Sequence, residues 1–227
     1  MRKFLEHFIE HILEQKDKTL ADNPVVDILI IKKIDYKRYE ISIKNKKLIC
    51  TSHKELKPYN RYWCNISQDS NGIITLSNLS IQPKALYLQK HIYLKLQITD
   101  LFYFIDQNLS KNIYAKLIKD RYSSNNVDLE KKLIVLAQEE IYSFPITAKN
   151  ELIFFQFKIS QNDNLNEKIV EFYVGFKNHG PFKGIFKKNE IVFYTRYDIK
   201  MDFLNPKLST SVFPIVDISD SFLDLKG

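Results

Sequence analysis

The spacing of the apolar residues changes three times along the chain, and each change predicts a change of secondary structure. Residues 3–15 place apolar side chains at positions i, i+1, i+4, i+5, i+8 and i+9, which predicts an amphipathic helix. From Val25 to residue 79, apolar and polar residues alternate, which predicts strands. Helical spacing returns between residues 101 and 141, and alternation returns from Tyr142. This order predicts an α+β protein.

The first alternating segment divides into five short strands, separated by the turn sequences D-Y-K-R, K-N-K, K-P-Y-N and S-N-G. Strands of this length and spacing predict a small β-barrel of OB or SH3-like size, because closing the sheet removes its unpaired edges. A helical pair and an antiparallel β-rich domain should follow. The predicted divisions are an N-terminal helix at 1–22, the barrel at 23–90, a helical linker region at 91–141 and the C-terminal β-rich domain at 142–227.

Positive charge is concentrated in the barrel segment. The chain has a formal net charge of +7, and residues 32–61 alone contain ten basic and three acidic residues, which is the same excess. OB-type barrels bind single-stranded nucleic acid by combining a cationic groove with aromatic stacking platforms. One hypothesis for the function is therefore nucleic-acid binding by this window. Its predicted surface consists of Lys37, Arg38, Lys46, Lys47, Arg61 and Trp63.

The cysteines and the N-terminus predict where the protein resides. Cys50 and Cys64 lack CxxC spacing, which favours two reduced thiols over a zinc site or a disulfide framework. The N-terminus has no continuous apolar region of the kind found in a cleaved signal peptide. No segment approaches the roughly 18 uninterrupted apolar residues of a membrane span. We expect a cytoplasmic protein with no membrane span.

One catalytic motif occurs in the sequence. The residues H-F-I-E-H, from His7 to His11, match the inverted zinc-peptidase pattern, in which two His one helical turn apart bind the metal and Glu10 polarises water. The same face of the predicted helix carries Lys3, Glu6 and Glu14, which favours a solvated polar face. No phosphate loop, nucleophile elbow or dinucleotide fingerprint is present. The sequence predicts no enzyme, no cofactor and no metal.

Three of the five glycines lie in the stretch V-G-F-K-N-H-G-P-F-K-G-I-F-K-K-N-E-I-V-F-Y, residues 174–194. Gly180 and Pro181 form a turn dipeptide, since glycine permits positive φ and proline fixes φ near about −65°. Gly184 lies inside the next predicted strand, where a missing side chain indicates a bulge or the close approach of another segment. The stretch therefore predicts a tight connection between two strands.

This arrangement, together with the upstream F-P-I-T-A-K-N-E-L-I-F-F-Q-F, resembles the C-terminal domain of the flagellar hook-length control proteins over residues 142–197. A weaker resemblance covers residues 25–80, which look like the small β module of some relatives. The chain has no long proline-rich segment of the kind that measures hook length, so it resembles a compact variant of the family.

The resemblance implies that the protein functions by binding other proteins. The C-terminal domain of that family contacts the switch component of the flagellar type III export apparatus. By analogy, the partners would be export-apparatus or hook components, and the protein would be cytoplasmic or exported through that apparatus without a cleaved signal. The implied partner-binding surface consists of Gly180, Pro181, Phe182 and Gly184.

Overall fold

The structure is a computed structural model, and it describes residues 1–14, 25–83, 86–87, 96–122, 127–149, 151–162, 167–187, 190–195 and 209–214. It contains four helices in this part of the chain: α1 (Arg2–Glu14), α2 (Ile98–Asp106), α3 (Lys111–Tyr122) and α4 (Val127–Gln138). The strands are β1 (Val26–Lys33), β2 (Arg38–Ile43), β3 (Lys46–Thr51), β4 (Arg61–Gln68), β5 (Ile74–Ile81), β6 (Leu96–Gln97), β7 (Ile141–Ala148), β8 (Glu151–Asn162), β9 (Glu167–Phe176), β10 (Gly180–Lys187), β11 (Glu190–Thr195) and β12 (Ser209–Pro214). The predicted α+β class is confirmed; the predicted boundaries at 22/23 and 90/91 lie outside the described residues.

Strands β1 to β5 form a closed barrel in the order β1-β2-β3-β5-β4. Pairing of β1 with β4 closes it, and all pairs are antiparallel except β3 with β5. A five-stranded barrel with this order is of the OB type. Its core comes from the inward half of each alternating run, for example Ile28, Ile30, Tyr39 and Ile41. The barrel predicted from the alternation is therefore confirmed.

In the part of the chain that the structure describes, a second sheet has seven strands in the order β12-β11-β10-β9-β8-β7-β6. It differs from the predicted antiparallel sheet at its two edges, where β6 pairs with β7 and β11 pairs with β12 in parallel. Because β6 precedes the helices and β7 follows them, α2, α3 and α4 are inserted between neighbouring strands. The region predicted as a helical linker thus belongs to the sheet unit.

The predicted helical pair consists of three helices. The segment that should form its first helix is interrupted at Asn108 and Leu109, which have φ values of 57° and 58°. Left-handed residues of this kind end a helix because they cannot continue its right-handed path. The helical layer is then fixed to the sheet through Tyr114, whose hydroxyl donates to the Ser143 carbonyl oxygen at 2.7 Å and accepts from the Ser143 N–H at 3.0 Å.

Helix α1 packs on the second sheet of its own chain. Its buried stripe comprises Phe4, Leu5, Phe8, Ile9, Ile12 and Leu13, as the spacing predicts. The ring of Phe8 lies 5.2 Å from that of Phe182 and 5.9 Å from that of Phe176, both in edge-to-face geometry. These contacts place α1 in the larger core, beside the inward face of β9 that carries Val170, Phe172, Val174 and Phe176.

Trp63 joins the barrel to the opposite face of the second sheet. Its side chain points outward from β4, is fully buried, and donates its indole N–H to the Lys177 carbonyl oxygen at 3.0 Å. The indole lies against Gly175, where an added Cβ would stand 2.9 Å from Trp63 Cη2 and 3.3 Å from Leu86 Cδ1. Glycine at position 175 is therefore needed for the indole to fit.

We expect Gly175→Ala to destabilise the protein by about 1–3 kcal/mol, because the new methyl group overpacks the junction. The same change should cost at least about 1 kcal/mol less in a Trp63→Ala background, where the obstructing ring is gone. Urea unfolding of the wild type, both single variants and the double variant measures this coupling. Additive effects would show that the indole does not require the glycine.

The two thiols are free and buried in the barrel core. Burial raises the pKa of the Cys50 thiol to about 11. Burial, and then the charges of Cys50 and Asp27, raise the pKa of the Cys64 thiol to about 12. The prediction of reduced thiols agrees with this arrangement, because the neutral form of each group is favoured in the folded state.

A thiol whose pKa is raised by folding contributes stability that is fully present below its ordinary pKa of 9.0. This contribution is lost as the pH rises toward the pKa of the folded state. Between pH 9 and 11 we expect the free energy of unfolding to fall by up to about 1.4 kcal/mol per pH unit for each thiol. Urea unfolding across this range measures the slope. A Cys50→Ala, Cys64→Ala variant is the control, and an equal slope in that variant would contradict the prediction.

Candidate binding surface on the barrel

The residues that the resemblance implies as a partner-binding surface lie in the core. Gly180, Pro181, Phe182 and Gly184 lie among the first five residues of β10 and are all buried. Phe182 lies under α1, between the rings of Phe8 and Phe176. The four residues are therefore not an exposed surface in this structure, and α1 covers Phe182 among them.

Gly184 has a structural role that the sequence predicted. It pairs with Phe172 on β9 and with Phe193 on β11, and a Cβ at this position would overlap the ring of Phe172. The ring in turn contacts Phe186 at 5.1 Å. The close approach predicted from the isolated glycine is confirmed, and the approaching group is an aromatic ring of the neighbouring strand.

Gly184→Ala should therefore lower the free energy of unfolding by about 1–3 kcal/mol through overpacking. A Phe172→Leu substitution frees the space above the glycine, so adding Gly184→Ala to that variant should cost less than adding it to the wild type. Thermal and urea unfolding of the four proteins measures both effects. An unchanged stability of Gly184→Ala would mean that the ring moves aside without cost.

The histidines of α1 lie on its outer side. His7 and Glu10 are exposed, and His7 Nδ1 lies 2.6 Å from the Lys3 carbonyl oxygen, to which the imidazole N–H donates. Within the described ranges, no group of three or more His, Cys, Asp and Glu side chains is placed to hold a metal ion. The described helices also include none that is long and apolar enough to cross a membrane.

The six residues predicted as a nucleic-acid surface are divided between two sides of the barrel. Lys37, Arg38, Lys46 and Lys47 lie on or beside strands β2 and β3. Arg61 lies on β4 and forms an ion pair with Asp27 at 2.7 Å. Trp63, also on β4, is buried against the second sheet and presents no stacking surface. Trp63 is thus not exposed as that surface requires. Arg38 and Lys47 point outward on one exposed side of β2 and β3, whereas Lys37 lies in the loop before β2 and Lys46 at the other end of the hairpin.

That exposed side is the outer surface of β2 and β3, which we call the β2–β3 face. It consists of the outward residues Arg38, Glu40, Ser42, Lys47, Ile49 and Thr51. In OB-type barrels this surface, with the β1–β2 and β4–β5 loops, binds oligonucleotides and oligosaccharides. Since the second sheet covers the Trp63 side of the barrel, this face remains open.

Two isoleucines are exposed at the centre of this region. Ile49 is 59% exposed on β3, and Ile73 is 49% exposed immediately before β5. The parallel register pairs Cys50 with Ile74, so each isoleucine directly precedes one member of this pair on the two neighbouring strands. Glu40 lies opposite Ile49 and forms ion pairs with Lys32 at 3.2 Å and Lys47 at 3.7 Å. The result is an apolar pair with a charged border.

The sequence contained a signal for Ile49 that the predicted site did not use. Leu48 and Ile49 are consecutive in a strand, so only one of them can face the core. Leu48 packs against the barrel core in phase with Cys50, which leaves Ile49 outside. Ile73 gave no comparable signal, because its position depends on the parallel pairing of β3 with β5.

Two loops form one end of the barrel beside this face. The β1–β2 loop spans residues 34–37 and the β3–β4 loop spans residues 52–60. The Ser52 N–H donates to the Lys37 carbonyl oxygen at 3.0 Å, and Lys33 Nζ lies 3.0 Å from Glu55 Oε1. A hydrogen bond from the Arg38 guanidinium lowers the pKa of the Asp35 carboxyl. Both acidic residues of this end are thus already paired with cations.

No protein-family model matches the chain. No curated protein and no solved structure matches it at a significant level.

Proposed function

We propose that this chain is a non-enzymatic interaction protein, similar to the flagellar hook-length control proteins, and that it binds a protein partner through the β2–β3 face. The observation that carries the proposal is the exposed pair Ile49 and Ile73. Five of the eight large apolar side chains exposed among the described residues lie on the barrel: Ile34, Tyr36, Ile49, Tyr59 and Ile73. Grouped apolar exposure of this kind is typical of interaction surfaces.

The placement of the two similar segments supports the family assignment. Residues 25–80 correspond to strands β1 to β5, and residues 142–197 include strands β7 to β11. The first segment is therefore the whole barrel, and the second is the antiparallel centre of the seven-stranded sheet, without its edge strands β6 and β12. On this basis we expect the partner to be a component of the flagellar export apparatus or the hook, and the protein to act in the cytoplasm or to pass through that apparatus.

The chemistry of the β2–β3 face favours a protein partner over a nucleic acid. Isoleucine has no flat ring for a base to stack on, whereas it fills apolar pockets of a protein partner well. Glu40, at the centre of the face, would repel phosphates. Lys32 and Lys47 share this one carboxylate, which offsets one of their two positive charges, so the face attracts phosphates less than two lysines without an acidic partner would.

The test is capture of the tagged full-length chain from its own cells, with nuclease present, using wild type and an Ile49→Ser, Ile73→Ser variant. Val135→Ser is the matched control, since Val135 is an equally exposed aliphatic residue on α4, within the helical layer. All three proteins should have the same stability within about 0.5 kcal/mol, because surface substitutions rarely change it by more.

We expect wild type and Val135→Ser to retain flagellar export or hook components, and the double isoleucine variant to bind them at least about tenfold more weakly in a purified pairwise assay. Retention of such components by the double variant at wild-type affinity would refute the assignment of the surface. Absence of flagellar components from the wild-type capture would refute the family-based function.

A further inference from the structure

The loops at one end of the barrel carry two tyrosines that the fold does not need. Tyr36 in the β1–β2 loop is 83% exposed, and Tyr59 in the β3–β4 loop is 79% exposed. Neither ring is part of the barrel core. The two loops are held together by the Ser52 to Lys37 hydrogen bond, so both rings belong to the same end. We call Tyr36, Lys37, Lys54, Lys57 and Tyr59 the tyrosine–lysine end.

The backbone makes Tyr59 unexpected. Its φ is 65°, a left-handed conformation that glycine and asparagine adopt readily and that bulky residues rarely adopt. The Tyr59 N–H donates to the Ile30 carbonyl oxygen at 2.8 Å, so any residue except proline could make the bond that fixes this turn. An exposed ring gains no burial in return for the strained backbone. Stability therefore does not account for a tyrosine at this position.

The tyrosine–lysine end carries lysine charges that the described carboxylates do not neutralise. Asp35 is ion-paired with Arg38, and Glu55 with Lys33. Lys37, Lys54 and Lys57 are exposed, and among the described residues no carboxylate lies within ion-pair distance of them. Lys37 Nζ lies 5.7 Å from the centre of the Tyr36 ring, which places a cation over an exposed aromatic face. Unpaired cations beside aromatic planes match the phosphates and bases of a single strand.

From this combination we infer that the tyrosine–lysine end is a binding site for single-stranded nucleic acid. Bases stack on Tyr36 and Tyr59, and the backbone phosphates contact Lys37, Lys54 and Lys57. The site extends beyond the proposed protein-binding face, from which it differs in composition: aromatic rings and unpaired lysines here, and isoleucines with a paired glutamate there. The β1–β2 loop is also one of the loops through which OB-type barrels bind single strands.

The experiment measures fluorescence anisotropy of labelled oligo(dT) and oligo(U), about 20 nucleotides long, with the full-length protein between 50 and 200 mM salt. Three lysine contacts give a slope of about −2 in a plot of log K against log salt, since each single-strand contact contributes about −0.7. In wild type this part of the affinity should fall on the order of 20-fold across the range.

The variants separate the contribution of charge from that of stacking. Lys37→Gln, Lys54→Gln and Lys57→Gln combined should reduce the slope by about 2 units. Tyr36→Ala and Tyr59→Gly should each weaken binding about 5- to 100-fold and leave the slope unchanged. Tyr59→Gly should fold at least as stably as wild type, because glycine relieves the left-handed strain. A loss of binding in that variant is then not caused by unfolding.

Matched controls distinguish this site from general polyanion attraction. Lys116→Gln, Lys119→Gln and Lys131→Gln combined remove the same charge from exposed positions on α3 and α4. This control should keep the wild-type slope and affinity, and the Ile49→Ser, Ile73→Ser variant should also bind oligonucleotide as wild type does. Equal losses in the two lysine triples, wild-type binding by both tyrosine variants, or no binding at 50 mM salt would each overturn the inference.

Discussion

The contact between Trp63 and Gly175 determines which part of the barrel is open. A buried indole N–H needs an acceptor, and the turn after β9 supplies one in the Lys177 carbonyl oxygen. That turn is itself held by the buried Glu151 carboxylate, which accepts from the Asn178 N–H at 3.0 Å and lies 3.2 Å from His179 Nδ1. Because β4 is fixed against the sheet in this way, β2 and β3 must face outward.

The two cores of the protein are of different kinds. The barrel core is made by residues close together in the sequence, and its alternating strands nearly suffice to define it. The larger core combines α1, the inserted helices and the strands of the second sheet, so it draws on both ends of the described chain. A binding surface on the barrel can therefore vary without disturbing the larger core, whereas the turn at Gly180 cannot.

The spacing of apolar residues predicted those parts of the fold that depend on residues close together in the sequence. Alternation indicates which residues of the barrel strands face inward, and Trp63 does point out of the barrel, between the inward Tyr62 and Cys64. What the sequence could not show is that a second sheet covers Trp63, or that α1 covers Phe182, since both coverings join residues more than 100 positions apart. Strand β6 has only two residues, which is too short to show an alternating pattern. The exposure of Ile49 and Ile73 together depends on the parallel pairing of β3 with β5, which no turn sequence predicts.

The position of α1 has a consequence for how the chain is made. The ring of Phe8 packs against the rings of Phe176 and Phe182, which are synthesised about 170 residues later. At about 5–20 residues per second, the helix leaves the ribosome on the order of ten seconds or more before its docking site exists. During that interval its apolar stripe is exposed while the barrel already has all its strands. In the cell, α1 thus joins the tertiary structure late, and chaperones or early partners have this interval in which to bind it.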